Sequence, residues 1–222
     1  MNKALLFKEW IKTRWILLLI FAVFALGMAY IALRISSASR NVGIPHLWEV
    51  FIQKNVVLLD QLKMFPLLAG IILGIAQFIP EMVKKRFKLT LHLPLGENRI
   101  IFLMLAYGFT ALLLAFAVCY GCFLWGLSLN FPREVIGAWF STTLPHMLAG
   151  LAAYLLTAWI ILEPTWLQRI CNAIIALLLL SLFITEGVPR AFTPMLPYLC
   201  GAIIILFLFP KISIRRFKQG MQ

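Results

Sequence analysis

Three histidines, four cysteines and eight acidic residues bound the bond-making and metal chemistry open to this 222-residue chain. His46 and His92 fall in polar connecting stretches, and His146, beside Pro145, lies inside an apolar run. A haem needs axial ligands that face each other at one depth, so His146 is expected to hydrogen-bond a neighbouring helix. Cys119, Cys122, Cys171 and Cys200 all lie in apolar stretches. A disulfide or a redox pair needs solvent access. Cys119 and Cys122 share a helical face, but the second pair of a structural zinc site does not follow. The four are expected to be small core hydrophobes, and no metal site is read. Carboxylates do not occur midway along any apolar run, and Glu163 and Glu186 stand at run ends as interface residues. That argues against an ion-driven carrier with buried carboxylates, and no Ser/His/Asp or paired-carboxylate set supports a hydrolase. The chain also lacks Gly-x-x-x-x-Gly-Lys-[Ser/Thr], the loop that cradles phosphates. No catalytic residue is assigned, and the chain is read as not an enzyme.

What remains is a cationic, apolar polypeptide. Hydrophobic types make up 63% of it and charged types only 13%, and mean hydropathy is +0.96. One core cannot hide that much apolar surface at this length, which excludes a soluble globular domain. The formal charge of +12 would suggest nucleic acid on a soluble chain. Nothing here reads as a nucleic-acid module, and the charge fits the anionic face of a bilayer.

Uncharged runs bounded by charges place six spans, near 15–34, 64–82, 100–127, 137–162, 167–185 and 193–210. The second and fifth are short and need tilt or local thinning. The first follows a basic stretch but exceeds a signal-peptide core, so it is expected to remain as a helix. Lys and Arg set the orientation. Residues 1–14, the 81–99 loop, Arg169 and the C-terminal tail hold fourteen, against six at Arg34, Arg40, Lys54, Lys63, Arg133 and Arg190. The excess puts both termini and the 81–99 loop in the cytoplasm. Trp125, Trp139, Trp159 and Trp166 fall near span ends, as an aromatic belt requires. The expected fold is therefore an all-α integral membrane protein: one transmembrane domain, 1–222, with six transmembrane helices.

Two segments outside the spans carry a pattern. On a helical wheel, Ala4, Phe7, Trp10 and Ile11 share a face, with Lys8, Glu9 and Lys12 opposite. This predicts an amphipathic helix lying flat at the interface before the chain turns into the first span. Between Glu81 and Arg99, a basic stretch (Lys84, Lys85, Arg86, Lys88) interleaves Phe87, Leu89, Leu91 and Leu93 and stops at Pro94. Large apolar residues at that spacing need burial against headgroups or a docking protein. Glu81 can pair with Lys84 or Lys85 one turn on. From Pro45 and His46, the recurrence of Leu47, Trp48, Phe51, Leu58, Leu59 and Leu62 predicts a further helix outside the membrane.

These features together resemble the membrane subunit of an ABC-2 type ABC transporter (the permease subunit). Members have six spans with cytoplasmic ends, an amphipathic elbow helix before span one, and a coupling helix between spans two and three that docks on an ATPase. Glu81, Leu89, Leu91, Leu93, Pro94 and Arg99 follow the layout of that loop, with Lys85-Arg86 where the family's small Gly-Thr step stands. Residues 1–14 resemble the elbow, with Phe7, Trp10, Ile11, Lys8 and Lys12 as its membrane-interface residues. The resemblance implies ATPase coupling through Glu81, Lys84, Lys85, Arg86, Phe87, Leu89, Leu91, Leu93 and Pro94, on a lever flanked by Pro80 and Pro94. It also implies a cytoplasmic ABC ATPase partner that holds the ATP and Mg, so that this chain binds no cofactor. Further implications are a dimer with a second permease copy or a homologous chain, contact with membrane lipids, and export across a bacterial inner membrane. The substrate-binding residues are unknown. The alternative is a non-transporting membrane anchor or assembly subunit of a cell-envelope complex. A cofactor-bearing redox subunit is a third reading and predicts coloured protein.

Overall fold

The structure, a computed structural model, describes residues 2–42, 63–83, 96–184 and 193–218. The elements are α1 (Asn2–Val42), α2 (Met64–Val83), α3 (Glu97–Ser128), α4 (Arg133–Leu162), α5 (Trp166–Ser181), α6 (Leu196–Leu206) and α7 (Phe209–Lys218). A 3₁₀ turn, Thr193–Met195, leads into α6. No strand occurs among the described residues. A helix satisfies its own N–H and C=O groups, which lipid requires of a spanning segment. Among the described residues, five stretches are long and apolar enough to cross a membrane: Asn2–Ser37, Met64–Val83, Asn98–Ser128, Arg133–Leu162 and Thr193–Ile214. α5 is apolar but has 16 residues, about 24 Å of helix against roughly 30 Å of hydrocarbon.

The helices alternate in direction. The start of α1, the end of α2, the start of α3 and the end of α4 meet at one end of the bundle, because Glu9, Gln77, Met104 and Tyr154 are linked there. α7 returns to the same end, where Ser213 reaches Glu163 at the foot of α4.

α4 is the most buried of the long helices and packs most extensively on α2. Small residues make that approach possible. A Cβ on Gly70 would fall on the Gly150 carbonyl, and one on Gly150 would fall on the Pro66 carbonyl. A Cβ on Gly74 would come within 2.9 Å of Thr157. Gly70-x-x-x-Gly74 is thus a close-contact stripe of the kind that associates helices in lipid, where apolar area alone gives little drive. α1 and α3 pack alongside this pair, with Phe24 and Phe116 rings 5.2 Å apart.

Several expectations are corrected. α1 runs as one helix from Asn2 through residue 14 to Val42, so the segment expected as an elbow belongs to the same helix as the first span. No proline and no glycine occurs before Gly27 to break it. Pro80 sits inside α2, which continues to Val83, and the rest of the expected lever lies outside the described residues. The span expected at 193–210 is matched by the apolar stretch Thr193–Ile214, which contains a turn at 207–208 between two helices. α6 stops at Leu206, and Pro210, which has no N–H to continue the ladder, takes the first turn of α7. Of the tryptophans, Trp125 and Trp166 are exposed as a belt requires, but Trp139 and Trp159 are buried. Trp139 packs on Phe123 and Phe131, and Trp159 meets Phe209 edge-on at 4.8 Å. Only Cys119 is a core cysteine. Cys122, Cys171 and Cys200 face outward, where lipid suits a thiol as well as a core does.

Candidate functional site

The inward face of α1 is set by a stripe at three- and four-residue spacing: Leu5, Glu9, Thr13, Leu17, Ile20, Phe24, Met28, Ile31 and Ile35 are all buried. The helical period therefore carries Glu9 into the bundle, at 0% exposure, and turns Phe7, Trp10 and Ile11 outward. The two faces are those the helical wheel separates, with the polar one turned into the bundle. Apolar side chains cost nothing against lipid, whereas a charge is best kept inside with partners.

Those partners come from α1 and α2. Lys12 Nζ lies 2.8 Å from Glu9 and 3.1 Å from Glu81. Lys8 Nζ, itself more exposed, lies 3.0 Å from the same Glu81 oxygen. Two carboxylates and two ammonium groups form a formally neutral cluster, with Lys12 shared between the acids. Isolated, either buried carboxylate would be several kcal/mol out of place. The same cluster ties the last turn of α2 to the first turns of α1.

Gln77 extends it across the bundle. Its Nε2 donates to Glu9 Oε2 at 3.0 Å and to the Met104 carbonyl at 2.8 Å. Its Oε1 accepts from the Tyr154 hydroxyl at 2.8 Å. One buried amide thus uses both donors and its acceptor to join α1, α2, α3 and α4. Gly108 makes the space, since a Cβ there would fall on the Tyr154 hydroxyl and the Gln77 oxygen. Thr13 donates to the Glu9 carbonyl at 2.8 Å, which leaves the Tyr107 hydroxyl, 2.9 Å away, to donate to Thr13.

A second junction lies farther toward the same end. Glu163, expected to be an interface residue, is buried between α4 and α7. It accepts from the Ser213 hydroxyl, and Arg216 lies 3.7 Å away. The Glu163 carbonyl accepts from Arg169 Nε at 2.6 Å, fixing the turn into α5.

Of the expected site residues, the structure brings Lys8, Lys12 and Glu81 into one cluster and leaves Phe7, Trp10 and Ile11 on the outer surface. Glu81 pairs with α1, a partner not foreseen. Lys84, Lys85, Arg86, Phe87, Leu89, Leu91, Leu93 and Pro94 lie outside the described residues, as do His46, His92, Glu186 and the helix expected after Pro45. His146 is buried on α4, beside Thr143 and Met147. Sequence reasoning missed Glu9, Gln77, Tyr154 and Gly108. Gln77 carried a usable signal, being the lone amide in an otherwise apolar run. Among the described residues no group of three His, Cys, Asp or Glu could hold a metal.

What the cluster can do is mechanical. It fixes the ends of four helices to one another at the point where the basic 84–95 segment leaves α2. The fold and this junction define an all-helical chain with the long apolar helices of a multi-pass membrane protein. Comparison with family models, with characterised proteins and with solved structures gives no match.

Proposed function

We propose that this chain is the membrane-spanning subunit of an ATP-driven ABC-2 type transporter, an exporter of the bacterial inner membrane. In this reading a separate cytoplasmic ATPase supplies hydrolysis, and the 81–99 segment is where it docks. The chain crosses six times, α5 by tilt or local thinning, with both termini and the 81–99 segment cytoplasmic. The fourteen-to-six distribution of Lys and Arg supports that orientation. A second copy or a homologous chain completes the transporter.

The observation that carries the reading is Glu81. It sits at the root of the basic segment and is held by Lys8 and Lys12 of α1, and Lys12 joins it to Glu9, Gln77 and Tyr154. A force applied to the 84–95 segment would therefore act on four helices at once. That is what a docking ATPase needs and what a passive basic anchor does not.

The test is purification of the tagged chain in mild detergent from its native host, with mass spectrometry of what stays bound. A stoichiometric P-loop ATPase is expected, and Phe87→Asp with Leu91→Asp should release it while membrane insertion is unchanged. Unchanged co-purification by the double variant would remove the docking role. Other envelope proteins in place of an ATPase would make the chain an assembly subunit.

A further inference from the structure

Two apolar depressions run along the outer seam between α1 and α3. One, of about 720 Å³, is framed by Trp10, Arg14 and Trp15 at one end. The other, of about 950 Å³, reaches Arg40 at the opposite end. Phe21 and Val118 line both, so the two depressions adjoin along the seam. Its walls are mostly apolar, and neither lining contains an Asp or Glu. Arg14 and Arg40 stand 26 residues apart on one helix, about 39 Å, close to the ~40–45 Å of a bilayer with its headgroups. A lateral seam with an arginine at each end and mostly apolar walls between them has the shape and charge of a phospholipid site.

We propose that the α1–α3 seam binds anionic phospholipid of the surrounding bilayer. The phosphate is held by Arg14 between Trp10 and Trp15, and an acyl chain lies along Phe21, Leu114 and Val118. The guanidinium is exposed, rests 5.4 Å from the Trp15 ring centroid, and presents a planar donor fork that suits phosphate. Trp10 and Trp15 sit where amphipathic rings meet headgroups. A second copy is the poorer occupant, because pairing about a two-fold axis on this face would bring Arg14 toward its own equivalent. The inference rests on membrane placement and not on an ATPase partner.

The full-length chain is purified in detergent and incubated with equal dioleoyl-phosphatidylglycerol and dioleoyl-phosphatidylcholine. Native mass spectrometry then reads the lipid retained. Phosphatidylglycerol should exceed phosphatidylcholine roughly fivefold, the ratio equivalent to ~1 kcal/mol for one basic residue at an anionic surface. Arg14→Gln, on an exposed side chain, should bring the ratio near one, and Arg14→Lys should keep part of it. Ala115→Phe, which fills the seam, should lower retention of both lipids. Equal retention by the unmodified chain, an unchanged ratio in Arg14→Gln, or no effect of Ala115→Phe would each overturn the proposal. So would a dimer that retains no lipid, with the seam covered by the second copy.

Discussion

Lys12 is the shared cation of the buried cluster, 2.8 Å from Glu9 and 3.1 Å from Glu81, and its removal gives the sharpest test of the junction. In Lys12→Met, Glu81 keeps Lys8 at 3.0 Å, whereas Glu9 is left with the Gln77 amide at 3.0 Å. Removing one partner of a buried pair costs ~3–5 kcal/mol, and the surviving Lys8 contact argues for the lower end. For a chain of this size ~3 kcal/mol corresponds to a melting temperature lower by roughly 10 °C. Adding Glu9→Gln removes the stranded charge and keeps an acceptor for Gln77, so the double variant should recover ~2 kcal/mol of that loss. Lys8→Met is the contrast: its side chain is 40% exposed, and the loss should stay below ~1 kcal/mol. Thermal unfolding of the detergent-solubilised protein, followed by tryptophan fluorescence, reads these three variants and Glu9→Gln alone. A Lys12→Met protein as stable as the parent would refute the buried-pair argument. Strict additivity of Lys12→Met and Glu9→Gln would refute it equally.

Three further outcomes follow from the packing and the charge pattern. Gly70→Leu drives a side chain into the Gly150 backbone and should abolish the folded, monodisperse species on size-exclusion chromatography. Gly121→Ala, which meets nothing within 4 Å, should be neutral or gain up to ~1 kcal/mol from helix propensity. Replacing Lys84, Lys85 and Arg86 with Glu should weaken cytoplasmic placement of that segment, read by labelling of introduced cysteines from either side. Unchanged labelling would show that the remaining basic segments orient the chain by themselves.

The helices were legible in the sequence because charges bracket apolar runs. Arg14 and Arg34 bound the apolar part of α1, and Lys63 stands just before α2. Breaks within a helix were less legible. Pro80 was read as a boundary but is absorbed inside α2, while Pro210 does mark a boundary, since α7 begins at Phe209. The facing of α1 was read correctly, with Phe7, Trp10 and Ile11 on the outer side, but what the opposite side meets was not. Phe7, Trp10 and Ile11 suit lipid, so the polar edge of α1 could turn inward once Glu81 and Gln77 were there to meet it. No local pattern announces such a meeting, because its members lie on different helices and are chosen by packing. The glycine stripe on α2 was visible as Gly70-x-x-x-Gly74, but its partner Gly150 is identified only by the crossing of α2 and α4.

The Gln77–Tyr154 bond also bears on biogenesis. The ribosome delivers α2 to the membrane long before Tyr154 exists, so the nascent second helix carries an amide oxygen awaiting its donor, together with a glycine face awaiting Gly150. Neither is satisfied until the fourth helix enters, and α2 cannot reach its final seat before then. Chains cut short after Ser128 lack both partners and should be cleaved faster than the whole chain in limited proteolysis of membranes that hold them.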